Sequence, residues 1–184
     1  MRARLANSLA ALLLGVLVAG AAPASAQESG FGPVTKLPLP RYASLKTDRV
    51  NLREGPSKDH RTLWVFQRAG LPVEIVGEFE TWGRIRDSEG TEGWVLHSLL
   101  SGRRTAIVNA GPDKGAEKAA ISLRAKADEG AEDEARLQTG VIGSVKKCTG
   151  QWCRLIVSLP TKRDVDGYIR QNRLWGVYPN EVVE

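Results

Sequence analysis

Apolar and polar residues alternate along short stretches of this chain, and glycine- or proline-containing turns separate the stretches. Val50-Asn51-Leu52-Arg53 alternates and is stopped by Glu54-Gly55-Pro56-Ser57. A period of two is that of a half-buried strand. The charged run 58–61 reads as a solvated loop, and 62–66, rich in aromatic and β-branched residues, resumes as a strand. Ala69-Gly70 turns the chain. Residues 73–78 place Val73 and Ile75 on one face, and Trp82, Arg84 and Arg86 alternate with Gly83 and Ile85. Residues 88–91 form a hairpin turn with Gly90 where positive φ is cheap. Residues 93–96 give another strand, 97–100 a helical turn, and 103–109 a further strand carried by Ile107 and Val108. Short strands at about ten-residue spacing predict small β-barrels rather than a helical fold.

The segment 71–102 returns in worn form at 141–176. Val50-Asn51-Leu52-Arg53 meets Ile121-Ser122-Leu123-Arg124 at an offset of 71. At an offset of 70, Gly70 meets Gly140, Ile75 meets Val145, Trp82 meets Trp152, Arg84 meets Arg154 and Ile85 meets Leu155. Gly93-Trp94-Val95 meets Gly167-Tyr168-Ile169 at 74, with a longer hairpin over 159–166 absorbing the shift. A repeat of this kind predicts two copies of one module. The expected organisation is a signal peptide over 1–26, an extended lead-in over 27–40, a first module over 41–109, a linker over 110–119 and a second module over 120–180. Residues 130–136, with Glu132, Asp133 and Glu134, read as a solvated loop. Prolines make 37–41 extended. Leu37-Pro38-Leu39-Pro40-Arg41 has the form of a proline-rich ligand, but a lead-in strand packing Leu39, Tyr42 and Leu45 on the first module is the simpler reading.

Composition adds an address. Arg2 and Arg4 precede an apolar run over 9–22, and Ala24-Ser25-Ala26 supplies a small-x-small site, so export with cleavage after Ala26 is expected. The run is shorter than the ~20 apolar residues of a span, and Gly15, Gly20 and Pro23 interrupt it. No cysteine follows it, so no lipid anchor and no stable membrane anchor after cleavage are expected. The 184 residues carry a net charge of +5, which falls to +3 when Arg2 and Arg4 leave. Interspersed charge of that size argues against a nucleic-acid partner. Cys148 and Cys153 are the two cysteines, and in an exported chain such a pair reads first as a disulfide across a tight hairpin holding Gly150. A metal site would need two further ligands, and His60 and His97 are distant in sequence. A redox pair would more often be Cys-x-x-Cys opening a helix.

Catalysis finds no constellation. His60 in a charged loop and His97 just after a strand read as solvent-facing residues rather than bases, since no partner constellation accompanies them, and no nucleophile elbow or phosphate loop is present. Glu78 with Glu80, and Glu89 with Glu92, read as surface charges, since a small barrel offers little cleft for a glycosidase pair. No cofactor is expected. Aromatics give the better lead. Of Trp64, Trp82, Trp94, Trp152 and Trp175, the recurring Trp82 and Trp152 read as packing residues, and Trp64 as the exposed one. A groove between 58–61 and 88–91 would then bind an extended peptide or glycan through Trp64 and Lys58, with Arg84 or Arg86 meeting carboxylates.

Val50-Asn51-Leu52-Arg53 followed by Glu54-Gly55-Pro56, a Gly-led strand, a Trp-led strand and Gly93-Trp94-Val95 separated by four residues from Leu100 resembles a bacterial SH3 (SH3b) domain. The string Cys148-Thr149-Gly150-Gln151-Trp152-Cys153 and the tail Leu174-Trp175-Gly176-Val177-Tyr178-Pro179 are similar to the second module of exported SH3-like proteins with two such units. Ala125-Lys126-Ala127 departs from the Gly-Pro-Ser of the first copy. The resemblance implies an all-β chain of two tandem, partly open five-stranded barrels. It also implies a periplasmic or secreted, non-catalytic protein that binds peptidoglycan, cell-wall peptide or an envelope protein. A scaffold for an envelope enzyme is the alternative, and a cell-wall hydrolase is a distant third.

Overall fold

The structure is a computed structural model that describes residues 30–109, 120–159 and 163–184. The expected signal peptide and linker lie outside those residues.

Alternation places the strands. Val50 and Leu52 are fully buried while Asn51 and Arg53 face outward, so β4 (Val50–Arg53) lays one face on a core. Each such side chain removed from water is worth roughly 1.5–3 kcal/mol. Around β4 run β3 (Arg41–Leu45), β5 (Thr62–Phe66), β6 (Pro72–Phe79), β7 (Trp82–Arg86), β8 (Glu92–Leu96) and the short β9 (Leu100–Ser101). They form one antiparallel sheet in the order β5-β4-β8-β7-β6-β3-β9. The helical turn is 3-10 and covers His97–Leu99, one residue shorter than expected, because Leu100 already pairs with Leu45.

The second module repeats this topology strand for strand. Its elements are β10 (Thr105–Val108), β11 (Ile121–Arg124), β12 (Asp133–Leu137), β13 (Ile142–Thr149), β14 (Trp152–Ser158), β15 (Asp164–Arg170) and β16 (Leu174–Trp175). Their order is β12-β11-β15-β14-β13-β10-β16. Among the described residues the first sheet thus has seven strands and the second eight, counting the short C-terminal strand Val182–Val183, where five were implied. Each encloses its own cluster, centred on Leu52, Val73, Ile85 and Val95 in one, and on Leu123, Leu155, Val157 and Ile169 in the other.

Two boundaries need correction. β10 pairs with β13 and β16, so 105–108 opens the second module instead of closing the first. The modules are joined by residues 102–104, and 110–119 lies between two strands of the second barrel. The stretch 130–136 is not all loop, because Asp133–Leu137 is an edge strand paired with β11. Its charges point to solvent along the free edge, a placement that discourages edge-to-edge pairing, while Leu137 is buried.

Glycine is dictated by space at one repeated position. A Cβ on Gly93 would lie 2.7 Å from Leu52 Cγ and 2.8 Å from the Arg53 carbonyl oxygen. On Gly167 it would lie 2.7 Å from Leu123 Cγ and 2.8 Å from the Arg124 carbonyl oxygen. The Gly-aromatic-aliphatic signature marks where β8 meets β4 and where β15 meets β11 as antiparallel neighbours.

The lead-in is a ribbon rather than a plain extended arm. β1 (Gly30–Phe31) pairs with β2 (Pro38–Leu39). The ribbon is latched by Glu78, whose side chain is fully buried. Its carboxylate accepts from the Val34 amide at 3.2 Å, the Thr35 amide at 2.9 Å, the Thr35 hydroxyl at 2.6 Å and Arg41 Nη2 at 2.8 Å. Burial alone would raise its pKa, but the Thr35 hydroxyl and amide, Arg41 and the Val34 amide outweigh it and hold the group at about 2.

The modules pack on each other. Tyr42 of β3 meets the Trp175 ring edge-on at 5.2 Å between centroids and the Tyr178 ring at 4.7 Å. Tyr42 was expected on the first module's own core; its outward position on β3 turns it to the neighbour instead. The Tyr178 hydroxyl donates to Glu74 Oε1 at 2.9 Å, and Arg86 donates to Glu74 Oε2 at 2.9 and 2.6 Å. Burial, then the Glu74 charge, pushes the Tyr42 phenol up to about 12. Arg68 Nη1 adds a bond to the Gly140 carbonyl at 3.2 Å.

At the other end of the chain, β17 (Val182–Val183) pairs with Cys148 and Thr149 of β13. Arg104 donates to both carboxylate oxygens of Glu181, at 2.8 and 3.0 Å. Cys148 and Cys153 are cross-strand partners on β13 and β14 and form the expected disulfide.

Candidate functional site

The outward row of β4 begins a cleft. Asn51 and Arg53, with Arg49 just before the strand, lie on the face away from the core. Two strands over, Trp82 and Leu96 are direct cross-strand partners on β7 and β8. Leu99 enters from the 3-10 turn and Lys58 from the loop 54–61. Together these seven residues line a cleft of about 290 Å³. Its floor is apolar and one wall is cationic.

Arg53 ties the loop to the strand. Its Nη1 donates to the Lys58 carbonyl at 3.0 Å and to the His60 carbonyl at 2.8 Å. Among the described residues, Arg49, Arg53 and Lys58 make no ion pair. Trp82 is only 6 % exposed, so it packs as expected while still presenting part of its surface to the cleft.

The second module fills the same corner with its own side chains. Arg124 stands where Arg53 does, and its Nη1 donates to the Ala131 carbonyl at 2.8 Å, the same seven-residue reach. Glu129 replaces Lys58, Asp133 replaces Thr62 and Arg170 replaces Leu96. Glu129 pairs with Arg124 at 3.4 Å and with Arg170 at 2.5 Å, and Asp133 lies 3.6 Å from Arg124. The Arg170 guanidinium sits 4.3 Å over the Trp152 ring. A cation over a ring face is itself stabilising. A depression of about 500 Å³ remains beside it, lined by Glu129, Arg170, Gln171, Arg173 and other polar residues, with neither Trp152 nor Arg124 in its wall.

The residues singled out from sequence scatter. Lys58 lines the cleft. Trp64 is 60 % exposed and lines a separate depression of about 460 Å³ with Val65, Phe66 and Gln67. Arg84 is paired with Glu92 at 2.7 Å, and Arg86 is held by Glu74 at the module junction, next to Tyr178. Arg49, Asn51, Arg53, Leu96 and Leu99 were missed. The exchanges Lys58 for Glu129 and Leu96 for Arg170 were visible in the aligned repeat, but their pairing across the barrel was not.

His60 is exposed and its ring stacks on Gly55. His97 is half-buried, burial pushes its pKa down, and its Nε2 is buried without a hydrogen-bond partner. Among the described residues, no group of His, Cys, Asp and Glu is placed to hold a metal ion, and no helix is long and apolar enough to cross a membrane.

The family model described as Bacterial SH3 domain matches the chain twice, over residues 46–102 and 117–176. No curated protein matches it. Two solved structures from Trichomonas vaginalis are similar, NlpC2 and NlpC1, each at 12 % identity and a TM-score of 0.32. The matches cover 74 % and 73 % of this chain but 48 % and 45 % of theirs, so the chain spans about half their length. A likeness at that level has no bearing on chemistry.

Proposed function

Since the chain belongs to the bacterial SH3 domain family, a family of binding modules directed at the cell wall, we propose that it is an exported, non-catalytic protein that binds peptidoglycan through its first module. Export rests on the signal pattern that ends at Ala26. The observation that carries the choice of module is the contrast between the two corners. Trp82 and Trp152 are equally buried, at 6 % and 7 % exposed, but the first corner sets Leu96 and three cations without an ion pair among the described residues around a cleft, whereas the second lays Arg170 on Trp152 and neutralises Arg124 with Glu129. A largely apolar floor of Leu96, Leu99 and the edge of Trp82, beside cations that make no ion pair among the described residues, suits a small polar ligand with an apolar flank.

The test is co-sedimentation of the processed chain with purified sacculi. Wild type should be retained. The double variant Lys58→Glu with Leu96→Arg, which transplants the second module's pair into the first, should stay in the supernatant. Loss of the wild type to the supernatant would instead favour a soluble scaffold. Equal retention of both proteins would move the site elsewhere on the surface, with the exposed Trp64 and Leu63 of β5 the next place to look.

A further inference from the structure

We infer that the first-module cleft takes the carboxylate of a peptide segment, seated against Arg53 where the second module seats its own Glu129. This rests on the reading that the cleft is the binding site. The second module serves as an internal reference. There, a carboxylate is held between the guanidinium on β11 and the guanidinium of Arg170, which in turn lies on the Trp152 ring. In the first module the same bond, from Nη1 to the carbonyl seven residues on, holds Arg53 in the equivalent place, and a second bond goes to the Lys58 carbonyl.

The acid is missing from the first module, and what replaces it is informative. Thr62 stands for Asp133, Lys58 for Glu129 and Leu96 for Arg170, so the corner exchanges one cation for another while losing both acids. Arg49 adds a third positive charge, and all three line one cleft. Like charges gathered without an ion pair among the described residues repel, and an incoming carboxylate relieves that repulsion while making charge-assisted hydrogen bonds. Leu96 in place of Arg170 leaves an apolar surface over Trp82, which fits an aliphatic side chain next to the carboxylate. A volume of about 290 Å³ suits one or two residues, which points to the end of a short peptide rather than a long strand.

Calorimetric titration of the processed chain tests this with acetyl-Ala-Leu-Ala bearing a free C-terminal carboxylate, the same peptide as its C-terminal amide, and inorganic phosphate. The acid should bind at least about tenfold more tightly than the amide, the worth of a charge-assisted contact of about 1.4 kcal/mol. Arg53→Gln should bring the acid down to the level of the amide, and added salt should weaken the acid selectively. Lys58→Glu with Leu96→Arg should abolish binding of both while the thermal melt stays near that of wild type.

Equal binding of acid and amide would overturn the inference, as would an acid that fails to bind by about 10 mM, the weak end for a specific contact. Displacement of the acid by an equal concentration of phosphate would overturn the carboxylate assignment in favour of a general anion site. If the peptide results fail while sacculi still retain the wild type and release the double variant, the ligand class is wrong and the site stands. If the double variant remains on sacculi, the site itself is wrong.

Discussion

The Tyr178 hydroxyl lies 2.9 Å from Glu74 Oε1, and this bond crosses from the second module to the first. Glu74 is 5 % exposed and also receives both bonds from Arg86, so a buried carboxylate is shared by two barrels. Truncating Tyr178 to Phe removes the donor and leaves the aromatic packing on Tyr42. A loss of about 1 kcal/mol in denaturant unfolding is expected, the net worth of a buried hydrogen bond. Glu74→Ala should cost more, because it strands Arg86. If Tyr178→Phe is silent in unfolding, the Tyr178–Glu74 bond contributes nothing net to stability.

Acid should release the lead-in ribbon. Glu78 has its pKa held at about 2 in the fold, against 4.5 for the unperturbed group. A depressed carboxylate contributes stability that is complete above the unfolded value and is lost as pH falls through the folded one. The contribution is on the order of 2–3 kcal/mol. Stability should therefore fall between about pH 4.5 and pH 2, while the Thr35 amide resonance of the folded protein should hold its position until the pH approaches about 2 and shift there. Glu78→Gln should show the released position at neutral pH.

Reducing the Cys148–Cys153 bridge should be tolerable. The two residues are separated by 5 in sequence, so the closed loop is short. Loop-closure reasoning then gives about 2 kcal/mol. Cys148→Ser with Cys153→Ser should lower the unfolding free energy by that amount and leave the fold intact. Titration of the unreduced, exported protein should find no free thiol.

Gly93→Ala and Gly167→Ala should be comparably harmful. In each a new methyl group would press on a buried leucine and on a backbone carbonyl of the neighbouring strand. Overpacking of this kind costs roughly 1–3 kcal/mol. Gly70→Ala is limited instead by its φ of +75°, since nothing lies within 4 Å of its Cβ position. Thermal melts of the three variants separate the two causes: strain at Gly70 should be relieved by Asn, and crowding at Gly93 should not.

These glycines also say which parts of the fold were legible. Gly93 and Gly167 recur with Trp82 and Trp152 because the meeting of two neighbouring strands there admits no side chain and the barrel core needs large ones. Sequence alone therefore carried the tandem architecture, the family resemblance and the disulfide. It did not carry the membership of 105–108, because an alternating strand next to a boundary does not say which sheet it joins. It did not carry Asp133–Leu137 either. An edge strand needs only its inner positions apolar, and its charges imitate a loop. The offset of 71 from Thr62–Phe66 held the correction.

Candidate binding residues were less legible, for a related reason. Arg84 and Arg86 alternate outward as a ligand site would, but cross-strand and cross-module acids already hold them. Tyr42, Trp175 and Tyr178 break the repeat, since Tyr42 answers Thr105 and Trp175 answers Ser101. That departure marks the junction between the modules. It has meaning only once the two copies are placed side by side.

The most direct measurement follows the indole N–H resonances of the five tryptophans while solubilised peptidoglycan fragments are added to the processed chain. A shift at Trp82, with Trp152 unmoved beneath Arg170, is the expected result. A shift at Trp152, or a response confined to Trp64, would contradict a binding site in the first-module cleft.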